Sequence, residues 1–240
     1  MKSSRRQFLH LAAGAAALPV LSDMATAQAY PTRALTVIVP FAAGGSTDVA
    51  CRIVSEHMSR TLGQQLVVEN ATGAGGTIGS TRAMHAKADG YTLLFGHTGT
   101  HAFSVSLYPN LAYKPDVDFD PIGEVLEIPE VLVARKDFPS RDLKEFVAYA
   151  RANPDKLNVA HAGVGSLTFA PKGVQRPILD KLTAALDNAL DDGNVRKRLV
   201  DIGGDIPDKS KRGPQQLVAL VKSDIARWTP IIKAANVKLD

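Results

Sequence analysis

An alternation of apolar runs, glycine-rich turns and helical segments constrains the fold of this chain more than any other feature of its sequence. Residues 35–39, 65–69 and 91–95 are apolar runs of strand length, and the first two each lead into a glycine-rich turn and a helical pattern. Such an alternation favours right-handed crossover units and an open α/β sheet. Ligands of these sheets bind at the carboxyl ends of the strands, where we expect the turns that follow all three apolar runs.

The first turn, within residues 37–48, is a candidate anion site. Gly44 and Gly45 follow a buried-type strand, and Ser46-Thr47-Asp48 marks the start of a helix. Backbone N–H groups and the positive end of a helix suit a carboxylate or a phosphate. The block contains no His, Cys or Lys, so it predicts binding rather than reaction. On these residues alone, a plain tight turn remains the alternative.

The first 29 residues have the pattern of an export signal. A charged start is followed by an apolar stretch from Leu9 to Leu21 and by Ala27-Gln28-Ala29 before Tyr30. Arg5-Arg6 resembles a twin-arginine signal, while the general export route and an uncleaved anchor are alternatives. Without this segment the formal charge falls from +4 to about +2, so the basic pI belongs partly to the signal.

The second half of the chain predicts more strands and then two long helices. The helices begin at Pro177 and Pro214 and carry apolar stripes that predict core packing. A small-residue turn at residues 162–166 follows a strand, as the first turn does. Before that turn we predict strands at residues 122–128, 131–135 and 157–160 and a helix at residues 141–152 that opens at Ser140.

Several short motifs follow one another along the chain, and together they carry a family resemblance. They are Val39-Pro40-Phe41, Gly44-Gly45, Thr47-Asp48, Val67-Val68-Glu69-Asn70, Gly73-Ala74-Gly75-Gly76, Asp89-Gly90-Tyr91-Thr92-Leu93-Leu94, Thr98-Gly99-Thr100-His101 and Ser106-Leu107-Tyr108. In this order they resemble the receptors of tripartite tricarboxylate transporters, the Bug family of solute-binding proteins. The resemblance implies a type 2 periplasmic-binding-protein fold, which is a two-lobed α/β clamp, in the periplasm. It also implies membrane components of the transporter as partners and no enzymatic activity.

The chain is shorter than the resemblance leads us to expect. The resemblance implies a two-lobed clamp of about 300 mature residues, a size that fits two α/β lobes. After Gly165-Ser166-Leu167-Thr168 the sequence passes directly to a string that resembles the final helices, so we expect an internal deletion near Thr168. We therefore predict an export signal at 1–29, the first part of lobe one at 30–120, a remnant of lobe two at 121–169 and C-terminal helices returning to lobe one at 170–240.

The resemblance implies a small carboxylate as ligand: a tricarboxylate, a dicarboxylate, an acidic amino acid or an aromatic acid. We expect Thr98 and Thr100 to face the cleft, while turn capping is their alternative role. Asp48 and His101 have structural alternatives as well, at the helix start and as a buried hydrogen-bonding group. The candidate ligand-binding residues are Phe41, Ala43, Gly44, Gly45, Thr47, Asp48, Thr98, Thr100 and His101 on one wall, and Ala162, Gly163, Gly165 and Ser166 on the other.

Other classes of function have weaker support. Gly73, Gly75 and Gly79 resemble a dinucleotide fingerprint, but they follow the second strand and lack the other parts of a dehydrogenase. Cys51 lies on an apolar helix face and predicts a buried thiol, and the basic run 209–212 predicts a surface loop rather than a nucleic-acid site. We expect no cofactor and no metal. A shortened receptor with altered binding, acting as a sensory or partner-binding component or without function, is the main alternative, and its exposed apolar surface would favour self-association over a monomer.

Overall fold

The computed structural model describes residues 30–129, 133–153 and 166–234. The chain divides into two units, Met1–Thr32 and Arg33–Asp240, and the fold described below is that of the second unit. Within the described ranges no helix is both long and apolar enough to cross a membrane.

Five strands and seven α-helices make up the described part of this unit. The first predicted strand is present as β1 (Leu35–Val39), which Pro40 follows. The predicted helix start at Ser46 is confirmed in α1 (Ser46–Leu62), which Gly63 ends in the left-handed conformation at φ 71°. The strands are β1 (Leu35–Val39), β2 (Leu66–Asn70), β3 (Thr92–Gly96), β4 (Phe119–Leu126) and β5 (Ser166–Pro171). The helices are α1 (Ser46–Leu62), α2 (Thr77–Met84), α3 (Ser104–Leu107), α4 (Leu143–Ala152), α5 (Arg176–Asp191), α6 (Gly193–Asp201) and α7 (Pro214–Ala234).

The strands form one sheet in the order β2-β1-β3-β5-β4. Strand β1 pairs in parallel with β2 and β3, which confirms the parallel sheet expected from the first half of the chain. Strand β5 is antiparallel to both of its neighbours, β3 and β4. The carboxyl ends of β1, β2, β3 and β4 therefore lie at the same edge of the sheet, and β5 begins there.

The core lies on both faces of this sheet because the side chains of a strand alternate between its two faces. On one face, Leu94 and Phe169 pack with Leu217 and Val221 of α7 and with Ala83 of α2. Helices α1 and α5 contribute a second set of buried apolar residues, which includes Cys51, Ile53, Met58, Leu182 and Leu186. Helix α7 buries less of its apolar stripe than predicted. Leu217 and Val221 are buried, whereas Val218 is exposed, and the later positions of the stripe are only partly buried: Ile225, Trp228 and Ile232.

Predictions for the middle of the chain were less accurate. The predicted strand 131–135 is wrong where it is described, since residues 133–135 have no regular structure and Val133 is 83% exposed. The helix predicted at 141–152 is present as α4, but Asp142 caps it in place of Ser140, because the Asp142 carboxylate accepts the N–H of Glu145 at 2.8 Å. The predicted strand 157–160 lies outside the described residues.

Strands β4 and β5 lie partly within the segment that we predicted as a remnant of lobe two. Part of that predicted range, residues 121–126 and 166–169, belongs to the same sheet as β1. The register joins Leu126, the last residue of β4, to Ser166, the first residue of β5. Helix α4 lies between these two strands in the sequence. The division of the chain into two lobes stays a prediction.

Candidate functional site

The loops that follow β1, β2 and β3 meet at one edge of the sheet, as the sequence predicted. The ring of Phe41, after β1, stacks on the ring of His97, after β3, with 4.1 Å between centroids and 14° between planes. Gly76, after β2, lies so close to both loops that an added Cβ would be 2.8 Å from Thr100 and 3.0 Å from Phe41. The glycine is needed there for this close approach and for its φ of 92°.

The loop after β1 is fixed by a buried carboxylate. Asp48, which is 2% exposed, accepts hydrogen bonds from the backbone N–H of Gly44 at 2.8 Å and from Nε of Arg52 at 3.0 Å. Nδ2 of Asn70, at the end of β2, donates to the other oxygen of Asp48 at 2.9 Å and to the carbonyl of Phe41 at 2.9 Å. Arg52 and Asn70 were not predicted as site residues, although the spacing of Asp48 and Arg52 by four residues on a helix is a signal for such a pair.

This network corrects the prediction that the N–H groups of Gly44 and Gly45 are free to hold an anion. In the structure the N–H of Gly44 donates to Asp48, and that of Gly45 donates to the carbonyl of Ala42 at 3.4 Å. The acid at the third position of α1 reaches back to the preceding loop, as the acid of a capping box does. Asp48 therefore has the structural role that was its alternative. Ala43 lies in the exposed stretch 42–44.

The donors that this loop offers lie one step further along the chain, in the first turn of α1. The first N–H groups of any helix have no acceptor within the helix, and in α1 these include the N–H groups of Ser46 and Thr47. The side chain of Thr47 is fully buried, and its hydroxyl oxygen has no hydrogen-bond partner in the described part of the chain. An anion at this helix end would also be favoured by the helix dipole.

The loop after β3 corrects a second expectation. We expected Thr98 and Thr100 to face the cleft, but Thr98 is only half-buried and the side chain of Thr100 is fully buried. The side chain of His101, the other candidate contact in this loop, is fully buried as well. The cause is a π-helical turn, Gly99–Phe103, that folds these side chains under the loop. The Thr100 hydroxyl donates to the carbonyl of His97 at 2.9 Å, and its oxygen lies 2.8 Å from Nδ1 of His101.

His101 therefore has its structural alternative role, as part of an aromatic cluster. Its ring stacks on Phe169 with 3.9 Å between centroids and lies 5.2 Å from the ring of Phe119. Burial, together with the nearby His97, lowers the pKa of His101 to about 3. The ring is neutral at physiological pH and contributes packing rather than charge.

The opposing wall lies almost entirely outside the described residues. Ala162, Gly163 and Gly165 belong to that part of the chain. Ser166 is described only by its backbone, as the first residue of β5. Their assignment to a ligand site stays a prediction.

The glycines that resembled a dinucleotide fingerprint have their own structural explanation. Each of Gly73, Gly75 and Gly79 is in close contact with another part of the same chain, so the space over it is filled. A Cβ at these positions would collide with Ile78, Tyr108 and the carbonyl of Ala71, respectively. Among the described residues there is also no group of three or more His, Cys, Asp or Glu side chains that could hold a metal ion.

Known proteins are similar to this chain in fold and in sequence. The family described as the tripartite tricarboxylate transporter family receptor matches residues 50–168. The solved structure of MatC from Rhodopseudomonas palustris, with bound malate, superimposes with a TM-score of 0.78 and 32% identity, over 85% of this chain and 100% of MatC. The chain belongs to the tripartite tricarboxylate transporter receptor family. This is a family of solute-binding receptors and not of enzymes, and its members are periplasmic.

Two curated relatives match this chain over a smaller part of their own length. The UPF0065 protein of the TAR-I ttuE-ttuC' intergenic region from Agrobacterium vitis is 43% identical over 150 residues, which are 62% of this chain and 43% of that protein. BugT from Bordetella pertussis is 36% identical over 159 residues, which are 66% of this chain and 47% of BugT. The chain thus spans about half the length of the curated relatives it matches.

Proposed function

We propose that the protein is a periplasmic receptor that captures a small carboxylate for a tripartite tricarboxylate-type transporter. The observation that carries the proposal is the first turn of α1, where unpaired backbone donors and the buried, unpartnered hydroxyl of Thr47 lie together. A buried hydroxyl without a partner costs about 1–3 kcal/mol, and a carboxylate oxygen at this helix end would satisfy it. That the related MatC was solved with malate supports a carboxylate of this size.

The charges around the helix end suit such a ligand. The carboxylate of Asp48 would repel an anion, but Arg52 lies against it, with Nη2 2.9 Å from Oδ1, and half of the Arg52 side chain is exposed. The pair leaves no net negative charge beside the first turn of α1. Binding then depends on hydrogen-bond donors and the helix dipole, in keeping with a site that holds an anion without reacting with it.

Calorimetric titration of the chain without residues 1–29 tests the proposal. Malate, succinate, adipate and citrate are titrated in turn, and the diamide of malic acid serves as an uncharged control. We expect heat with at least one of the acids and none with the diamide. A folded protein that gives no heat with any acid would refute the proposal.

The matched pair Thr47→Val and Thr47→Ser tests the assigned donor. Valine keeps the shape of threonine and removes the hydroxyl, so we expect about 10- to 100-fold weaker binding of the acid, as for the loss of one hydrogen bond to a charged group. Serine keeps the hydroxyl and should bind within about threefold of the wild type. Equal affinities for the two variants would show that the hydroxyl is not a ligand contact.

The transporter and the compartment belong to the same proposal. The family supports both. An uptake assay tests the transporter, and cell fractionation tests the compartment. Cells that lack the gene and carry the full chain should accumulate radiolabelled malate or the acid found by titration, whereas cells that carry Thr47→Val should accumulate less. Cell fractionation should place the wild-type chain in the periplasm, and its presence in the cytoplasm would contradict the proposal.

A second candidate function rests on helix α4. Leu143, Phe146, Val147 and Ala150 follow the spacing of a buried helix face, yet α4 has no buried residue, and Leu143 is 68% exposed. Such a surface favours self-association or a partner, as expected for a shortened receptor with altered binding. Sedimentation of the wild type and of the double variant Leu143→Lys with Val147→Lys separates the two candidate functions. A wild-type dimer that is a monomer in the double variant favours this second function. A monomer in both proteins favours the receptor.

A further inference from the structure

We infer that His97 is a positioning residue for the carboxylate site, because it joins the loop after β1 to the loop after β3. The inference rests on the proposed function and names a residue that the sequence did not single out. His97 directly follows β3 and directly precedes Thr98, the half-buried residue that remains a candidate ligand contact. Its side chain is 3% exposed, so it acts within the wall of the site rather than on its surface.

The imidazole contacts both loops. Its face stacks on Phe41 of the β1 loop at 4.1 Å and 14°. Its Nδ1 accepts the backbone N–H of Gly99 at 2.8 Å, on the other side of Thr98. An Nδ1 that accepts must be unprotonated, so the neutral ring carries its proton on Nε2. One ring thus fixes the backbone on both sides of Thr98 relative to the β1 loop.

The surroundings of the ring leave it little freedom. A Cβ at Gly99 would collide with the imidazole, and a Cβ at Gly76 would press on the other partner, Phe41. The backbone of His97 is held as well, because its carbonyl accepts the N–H groups of Thr100 and His101, each at 3.0 Å. A side chain held this way maintains the spacing between the first turn of α1 and Thr98, and supporting residues of this kind determine how well a binding site is preorganised.

Phe41 and His97 should therefore act as a pair. Replacing either ring by a non-aromatic side chain breaks the stack, so replacing both rings in this way should weaken binding hardly more than replacing one. Residues in direct contact show non-additive effects of this kind, whereas independent residues add.

The experiment measures the affinity for malate, or for the acid found by titration, together with the midpoint of thermal unfolding. His97→Phe keeps a ring against Phe41 and removes the acceptor for Gly99, and His97→Asn keeps an acceptor near the position of Nδ1. Phe41→Leu and the double variant Phe41→Leu with His97→Asn complete a double-mutant cycle. Val221→Ala, in the core between α7 and the sheet, is the stability control.

We expect His97→Phe to bind the acid at least tenfold more weakly than the wild type. Val221→Ala should lower the unfolding midpoint at least as much as His97→Phe does, and should keep wild-type affinity. We expect the double variant to bind about as weakly as the weaker of its two single variants. Wild-type affinity in His97→Phe, or additive losses in the cycle, would overturn the positioning role and leave the proposed function intact. A folded wild type that binds none of the acids would overturn both.

Discussion

The carboxylate of Asp48 accepts the backbone N–H of Gly44 at 2.8 Å, and this bond ties the loop after β1 to the first turn of α1. Burial raises the pKa of Asp48, but hydrogen bonds from Arg52, Gly44 and Asn70 outweigh it, and the pKa lies below its ordinary value of 3.8. The ionised form is therefore the one that the fold stabilises. The loop that carries the proposed site depends on that charge.

Replacing Asp48 by alanine should destabilise the protein by about 2 kcal/mol, because the change leaves buried donors unpaired. Since the folded pKa is depressed, the contribution of this carboxylate is present above the unfolded pKa and is lost as the pH falls through the folded value. Urea unfolding should show a larger difference between wild type and Asp48→Ala at pH 6 than at pH 2.5. Asp116→Ala, which removes an exposed carboxylate, should leave the urea midpoint nearly unchanged at both pH values. Equal losses at the two pH values would contradict a role for the charge.

The buried ring of His101 predicts acid destabilisation. Its pKa is about 3 in the folded protein, against 6.5 for a free histidine, because burial disfavours the charged ring. The unfolded chain binds a proton below pH 6.5 and the folded chain does not, so stability falls as the pH is lowered from 6.5 towards 3. At about 1.4 kcal/mol per pKa unit, the loss amounts to about 5 kcal/mol.

Unfolding of His101→Phe as a function of pH measures this contribution. The variant keeps a ring against Phe169 and removes the titrating group, so its stability should fall less steeply than that of the wild type between pH 6.5 and pH 4. The control His85→Gln removes an exposed histidine and should retain the wild-type slope. A wild-type slope in His101→Phe would show that acid destabilisation arises elsewhere.

The buried carboxyl of Glu124 should make the protein less stable as the pH rises, whereas His101 makes it less stable as the pH falls. It is 8% exposed on β4, and burial, followed by the charges of Glu127 and Asp224, raises its pKa to about 7, which Lys211 partly opposes. The unfolded chain releases this proton near pH 4.5 and the folded chain retains it to about pH 7. The folded state therefore binds more protons in this window, and stability falls as the pH rises through it.

The variant Glu124→Gln keeps the shape of the protonated side chain and cannot ionise. It should match the wild type at pH 4.5 and exceed its stability at pH 8 by about 3 kcal/mol, at about 1.4 kcal/mol per pKa unit. Urea unfolding at the two pH values measures this difference. Glu127→Gln removes an exposed neighbour and should have a smaller effect. A variant no more stable than the wild type at pH 8 would show that Glu124 ionises freely in the folded protein.

The sequence predicted those parts of the fold whose signals are local. The bounds of β1 follow from a continuous apolar run before Pro40, and the end of α1 follows from Gly63, the kind of residue that takes the left-handed conformation most readily. Residues 133–135 continue an apolar run of the same appearance, but Val133 is 83% exposed and no strand forms there. A strand needs a partner, and the sequence alone does not say whether one is present.

The sequence predicted that the loops after β1, β2 and β3 meet at one edge of the sheet, but not how these loops pack there. The convergence of the three loops follows from the order of strands and turns. The burial of Thr100 and His101 does not, because a π-helical turn changes which side chains face outward. The bond from Gly44 to Asp48 and the stack of Phe41 on His97 were also missed, since the first depends on the path of the loop and the second joins residues 56 positions apart in the sequence.

Cys51 should be unreactive in the folded protein. It is fully buried on α1, its sulfur lies 3.7 Å from the hydroxyl of Ser55, and burial raises its pKa to about 12. The thiolate is the reactive form, so at pH 8 a thiol reagent such as dithionitrobenzoate should label the native chain far more slowly than the chain unfolded in guanidinium. If a carboxylate stabilises the fold, saturating ligand should slow native labelling further, because labelling then requires unfolding of the ligand-bound state. Stoichiometric labelling of the native protein within minutes would contradict the burial of this thiol.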